Sequence, residues 1–214
     1  MCGIVGFVGA RADMQEILQG MMDAIAHRGP DGQGQFIEGP VALGQRRLSI
    51  IDLEGGKQPM FNEDQNLAVI FNGEIYNFQE LRSELEAKGY KFHCGADTES
   101  LLHGYEEWGE AVLDRLRGMY AFVIWDKKKN KLFGARDIFG IKPLYYYPMA
   151  DAGDGAPGVL FGSEIKSFLD YPHFHKAVNK KALRPYMTLQ YSATEETFFE
   201  GVYKLPPAHY FTVD

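Results

Sequence analysis

Cysteine is scarce in this sequence, with Cys2 and Cys94 alone among 214 residues. So few thiols in a chain of this length make no disulfide framework, and a reducing cytoplasm is the expected compartment. There is no Cys-x-x-Cys, and the six histidines form no helical His-x-x-x-His, so no metal site is expected. A secretory leader is missing too: the first residues have no basic start and no long apolar core, and glycine recurs at Gly3, Gly6 and Gly9. Position two is not glycine, which excludes myristoylation. No apolar run approaches the roughly 20 residues of a membrane span. Positive charge is also short, 22 Lys and Arg against 29 Asp and Glu for a net −7, which argues against a nucleic-acid partner. The acidic stretch Asp151-Ala152-Gly153-Asp154-Gly155 lacks the ligand spacing and terminal Glu of a calcium loop and reads as a flexible insertion. Without internal repeats or low-complexity linkers, residues 1–214 read as one sizeable domain.

What is present is a succession of strands, then helices, then strands, the pattern of an α+β fold rather than a regular βαβ alternation. Asp13 with Glu16 has the spacing of a capping box, and Ile17, Leu18, Met21, Met22 and Ile25 share one helical face. Asn77 with Glu80 repeats that pattern before Leu81 and Leu85, and Asp97 or Thr98 opens a helix carrying Leu101, Leu102, Tyr105 and Trp108. Val112, Leu113 and Leu116 suggest a short fourth helix. Leu67 to Phe71 is a continuous apolar strand that runs into Asn72-Gly73-Glu74. Met119 to Trp125 is apolar at both odd and even positions, so that strand must be covered on both faces. Lys131 to Ala135 reads as its hairpin partner, and Leu144 to Tyr147 pairs with Val159 to Gly162 across the acidic loop.

The chemistry starts at Cys2. If Met1 is removed, one residue carries a thiol and a free α-amine. A thiol is only a few per cent ionised at neutral pH and needs a base. An α-amine with a pKa of about 7.7–8.0 is partly neutral there and can accept the proton, directly or through one water. The alternative is a small residue at the start of a strand. Three other features carry chemistry of their own. The Asn72 amide and the Gly73 N–H can aim two donors at one point, as an oxyanion hole does, or can form a plain strand-end turn. Arg47 offers a planar fork for a carboxylate, or a surface ion pair. Asp97 can bind an ammonium, or cap its helix. Arg28-Gly29-Pro30-Asp31 and Arg136-Asp137 read as ion-paired turns.

Taken in order, the motifs resemble those of a family. Cys2-Gly3-Ile4-Val5-Gly6, His27-Arg28-Gly29-Pro30-Asp31, Arg47-Leu48-Ser49-Ile50-Ile51-Asp52, Gln58-Pro59-Met60, Asn72-Gly73-Glu74-Ile75-Tyr76-Asn77 and Gly95-Ala96-Asp97 follow one another as in class II glutamine amidotransferases. The variant resembles the N-terminal glutaminase domain of asparagine synthetases. Arg136 to Tyr145, Gly162-Ser163-Glu164-Ile165-Lys166 and Leu205-Pro206-Pro207 extend the likeness over essentially the whole chain. The resemblance implies an N-terminal-nucleophile hydrolase fold, a four-layer αββα sandwich. It implies that Cys2 attacks the side-chain amide of L-glutamine and that Asn72 and Gly73 hold the oxyanion. Arg47 and Asp97 would clamp the substrate carboxylate and ammonium, with Leu48, Ser49, Ile50, Ile51 and Glu74 lining the pocket. Glutamate and ammonia would leave by way of a thioester.

The ATP-using synthetase domain of such proteins, with its Ser-Gly-Gly-type pyrophosphate loop, has no counterpart before Asp214, so the chain reads as an excised domain whose partner is that C-terminal domain. ATP and Mg are expected only there, and the glutaminase part needs no cofactor. Ala208 stands where the family usually has glycine, with little consequence expected. A retained Met1 would lock the base in a peptide bond and leave that form inert. Two alternatives stay open, a non-catalytic regulatory or interaction domain on the same fold, and a glutaminase serving another acceptor such as a sugar phosphate. A homodimer stays open as a further partner.

Overall fold

The computed structural model describes residues 1–49, 55–153, 155–192 and 194–214. Strand β1 (Gly3–Val8) leads to helix α1 (Met14–Ala24), then to the hairpin of β2 (Gly32–Glu38) and β3 (Val41–Arg47). Strands β4 (Met60–Phe61) and β5 (Leu67–Ile75) precede helices α2 (Phe78–Ala87) and α3 (Asp97–Trp108). Two further hairpins follow, β6 (Gly118–Asp126) with β7 (Lys131–Arg136), and β8 (Tyr145–Met149) with β9 (Gly158–Gly162). Helix α4 (Lys180–Leu189) and strands β10 (Tyr203–Lys204) and β11 (Tyr210–Val213) complete the described elements.

The strands form two antiparallel sheets, one in the order β10-β8-β9-β1-β3-β2 and the other in the order β11-β7-β6-β5-β4. Successive side chains on a strand point to opposite faces, and this sorts the apolar residues into three cores. Val5 and Phe7 face outward onto Leu18, Met21 and Met22 of α1. Phe71, Phe122 and Ile124 face outward from the other sheet onto Leu101, Leu102 and Tyr105 of α3. Ile4, Leu43, Ile70, Val123 and Phe161 fill the space between the sheets. The result is the helix–sheet–sheet–helix order expected from the sequence. The odd and even apolar positions of β6 are explained by it: Phe122 and Ile124 serve the outer core, Ala121 and Val123 the inner one. Each fully buried Ile or Phe contributes about 1.5–3 kcal/mol relative to exposure.

Several local expectations give way to other partners. The α1 capping box does not form, because Arg11 takes both oxygens of Asp13 at 2.8 and 3.0 Å. Asn77 precedes α2 without capping it; its amide instead donates to Arg115 O and accepts from Arg117 N, both at 2.9 Å. The segment around Val112 is a 3-10 helix, Gly109–Asp114. The expected flexible insertion is anchored: Ala152 is fully buried, its carbonyl accepts from the Tyr171 hydroxyl at 3.1 Å, and Asp151 accepts from Gly153 N and Gly155 N. Arg136 and Asp137 do not form an ion-paired turn with each other. Arg136 donates to the carbonyls of Gly140, Lys142 and Leu205, and Asp137 accepts from the N–H groups of Tyr120, Phe139, Ile141 and Lys142. Together they fold the loop after β7 around a frame of main-chain bonds. Ala208 has φ +58°, so the residue there does adopt the left-handed conformation that glycine takes without strain.

Candidate active site

At one end of the space between the sheets the apolar core gives way to a cleft of about 640 Å³ including its open mouth, and Cys2, Arg47, Leu48, Asn72, Gly73, Glu74 and Asp97 all line it. Strand register accounts for this. Gly3 pairs with Arg46 and Ile4 with Gln45, which brings Cys2 opposite Arg47 at the end of β1 and β3. Across the gap, Asn72 continues the inward-facing series Ala68, Ile70 on β5.

The Cys2 end is held by its main chain. Arg28 Nε donates to the Cys2 carbonyl at 3.0 Å, and Arg28 Nη1 bonds Glu164 at 2.9 Å. Burial alone would raise the Glu164 carboxyl, but hydrogen bonds from Arg28, His27 and Lys166 outweigh it and bring it down to about 2. The Cys2 sulfur lies on one peptide unit: Leu48 N donates to it at 3.4 Å and it donates to Leu48 O at 3.5 Å. Gly29 packs so closely on β3 that a Cβ there would fall 2.3 Å from the Arg46 carbonyl carbon, which fixes the approach of the Arg28 loop.

Across the cleft, Asn72 and Gly73 do not form a turn after the strand; they lie inside β5. The N–H groups of Phe71 and Ile75 are taken by side chains, Gln58 Oε1 at 2.6 Å and Asp97 Oδ2 at 2.8 Å. By strand alternation the Gly73 N–H emerges on that same edge, where pairing with β4 has stopped at Val69. A Cβ on Gly73 would come within 2.3 Å of Met119 O, so only glycine lets β5 and β6 approach here. Asn72 is 1% exposed, and its amide nitrogen has no hydrogen-bond partner among the described residues. A buried donor left unpaired is costly, and this one opens onto the Cys2 cleft.

Asp97 does not cap α3. Ala96 holds that position and Asp97 is the first helical residue. Desolvation raises the Asp97 carboxyl above its ordinary range, with the Glu74 charge adding to the effect and the Ile75 and Thr98 N–H groups opposing it. A carboxylate in that condition is relieved by a cation. Ser49 sits at the rim, its N–H donating to Asp31 at 2.8 Å, and does not line the cleft. Ile50 and Ile51 lie outside the described residues.

Comparison with known proteins now adds family to geometry. The glutamine amidotransferase domain family matches residues 1–214. The chain belongs to that family. It is 45% identical over 218 residues to asparagine synthetase [glutamine-hydrolyzing] 1 of Bacillus subtilis, covering 100% of this chain and 33% of the relative. Asparagine synthetase [glutamine-hydrolyzing] 3 of the same organism is 39% identical over 218 residues, 99% of this chain and 34% of the relative. This amidotransferase domain thus spans about a third of the length of the synthetases it matches. Among solved structures, the glutamine phosphoribosylpyrophosphate amidotransferase of B. subtilis, complexed with ADP and GMP, superposes with TM-score 0.64 at 26% identity over 78% of this chain and 43% of that one. The fold class read from the sequence agrees with that likeness. No helix among the described residues is long and apolar enough to cross a membrane.

The amidotransferase cleft also contains residues to which the sequence reading gave no role. Gln45 is 1% exposed, has an unpartnered amide nitrogen and lines the same cleft. Gln58 bridges Phe71 N to the Thr98 hydroxyl. Lys142 reaches in from the loop after β7. For Gln58 and Lys142 the motifs themselves were the signal, since both stand inside blocks that carried the family likeness.

Proposed function

We propose that this domain hydrolyses L-glutamine to L-glutamate and ammonia, with Cys2 as nucleophile and its own α-amine as base once Met1 has been removed. The amine takes the thiol proton, and the sulfur attacks the side-chain carbonyl carbon of glutamine. The tetrahedral oxyanion is held by the Asn72 amide and the Gly73 N–H. Collapse breaks the C–N bond, and the protonated amine returns its proton to the leaving ammonia. Water, deprotonated by the same amine, then cleaves the thioester and releases glutamate. Arg47 grips the substrate α-carboxylate; Asp97, with Glu74 beside it, receives the α-ammonium and is relieved of its burial penalty. Hydrolysis thereby uses only groups of this chain, a thiol kept reduced, and water.

The observation that carries this reading is the buried, unpartnered Asn72 amide facing the cleft that holds Cys2. The relatives support the destination of the ammonia. In a longer polypeptide, a C-terminal ATP- and Mg-dependent synthetase domain would pass it to activated aspartate, making this the glutaminase half of an asparagine synthetase. The experiment is intact-mass measurement for loss of Met1, combined with glutamate release from glutamine by the wild type and by Cys2→Ala. The expected result is a processed, active wild type and a folded Cys2→Ala protein with no measurable turnover. Undiminished turnover in Cys2→Ala would end the assignment.

A further inference from the structure

One charged group in the Cys2 cleft has no part in the reaction just described. Lys142 is 6% exposed, and its main chain is fixed on both sides: its N–H donates to Asp137 at 3.0 Å and its carbonyl accepts from Arg136 Nε at 2.7 Å. With the backbone so held, the side chain enters the cleft. Among the described residues its Nζ touches one polar atom, the Met1 sulfur at 3.5 Å. A thioether is a weak acceptor with no charge, so this ammonium is buried without the carboxylate that normally accompanies it. Removal of Met1, which the proposed reaction requires, takes away that contact. It leaves the ammonium in the cleft that Cys2 also lines.

We propose that Lys142 is a positioning charge for the proposed glutaminase reaction, its ammonium disfavouring protonation of the Cys2 α-amine and so keeping the base neutral. The inference rests on the reading of Cys2 as an N-terminal nucleophile. Among the described residues the other charged groups lining the cleft are Arg47 on β3, Glu74 on β5 and Asp97 on α3, beside the Cys2 thiol; β6 contributes the uncharged Met119. On Lys142's own loop, Asp137 and Arg136 are both engaged with main-chain groups. When glutamine binds, its carboxylate offsets Arg47 and its ammonium offsets one of the two carboxylates Asp97 and Glu74; behind Cys2, Arg28 is paired with Glu164. Lys142 has no carboxylate partner of its own among the described residues, and as a like charge it disfavours the protonated amine.

The test compares processed wild type, Lys142→Met and Lys142→Arg over pH 5–9, reading kcat/KM for glutamine hydrolysis at low salt. In Lys142→Met the acid limb moves up by about one pH unit, a tenfold change in the protonation equilibrium, and Lys142→Arg restores it. A merely structural lysine would lower the whole profile and leave the limb in place, which overturns the proposal. The same comparison in a Cys2→Ala background, titrating the ¹⁵N-labelled N-terminal amine by NMR, removes the thiol from the measurement and needs no turnover. A Lys142-dependent shift there supports the proposal, and identical amine titrations overturn it. If wild type is inactive at every pH, the glutaminase reading fails on its own, while the amine titration still decides the role of Lys142.

Discussion

The two ends of the space between the sheets are built from the same strands and the same faces, yet one is an apolar core and the other a reactive cleft. Along β3 the inward positions read Val41, Leu43, then Gln45, Arg47; along β5 they read Ala68, Ile70, then Asn72. Along β1, Ile4 belongs to the core and Cys2 to the cleft. Along β5 the pairing with β4 also ends at Val69, so the edge beyond it is bonded by the Gln58 and Asp97 side chains. The residue type changes, and with it the meaning of burial: at Ile70 burial is stabilisation, and at Asn72 it is an unpaired donor waiting for an acceptor. The difference teaches that the site is a continuation of the core by other side chains, with precision inherited from the packing beside it.

That comparison can be broken by substitution on either side of the boundary. Asn72→Ala should lower kcat for glutamine hydrolysis by about 10²–10³ with KM little changed. Its thermal stability should stay near wild type, because no protein hydrogen bond to the amide nitrogen is lost. A change confined to KM would remove Asn72 from the oxyanion role. Two residues earlier on the same strand, Ile70→Val should cost about 0.5–1.5 kcal/mol in denaturant unfolding while leaving kcat/KM for the folded protein unchanged. Loss of activity out of proportion to stability there would mean that core and cleft are not separable. The smallest effect concerns the ion pair behind Cys2. The Glu164 carboxyl is depressed from 4.5 to about 2, so its stabilising contribution is complete above 4.5 and fades as pH falls through about 2. The gap in melting temperature between wild type and Glu164→Gln should therefore shrink between pH 5 and pH 2. A gap constant with pH would show that the charge of Glu164 contributes nothing.

The architecture was legible where periodicity and chemistry coincide. The two-faced run Met119 to Trp125 announced a strand between two cores, and the helical face of Leu18, Met21, Met22 and Ile25 announced α1, because burial patterns are local consequences of strand and helix geometry. Side-chain caps were misjudged for the opposite reason. Asp13 and Asn77 have the right spacing for capping boxes, but a carboxylate or amide bonds whichever donor is nearest: for Asp13 the guanidinium of Arg11 two residues earlier, for Asn77 the Arg117 N–H brought in by the fold. For Asn72-Gly73 the sequence left a strand-end turn open beside the oxyanion reading; the contact with Met119 O that keeps Gly73 inside β5 comes from a residue far along the chain. Which residues gather in the cleft followed from motif order for Cys2, Arg47, Asn72 and Asp97. The placement of Gln45 and Lys142 there depends on strand pairing and on the main-chain frame around Asp137, neither of which is written in neighbouring residues.

The seat of the Cys2 sulfur has one more consequence. As a thiol it can satisfy both halves of the Leu48 peptide, giving its hydrogen to the oxygen and receiving one from the nitrogen. Once the proton is gone the nitrogen still attracts it, but the oxygen repels it. In the proposed reaction, then, forming the thiolate would exchange one of the two contacts that seat the sulfur for a repulsion.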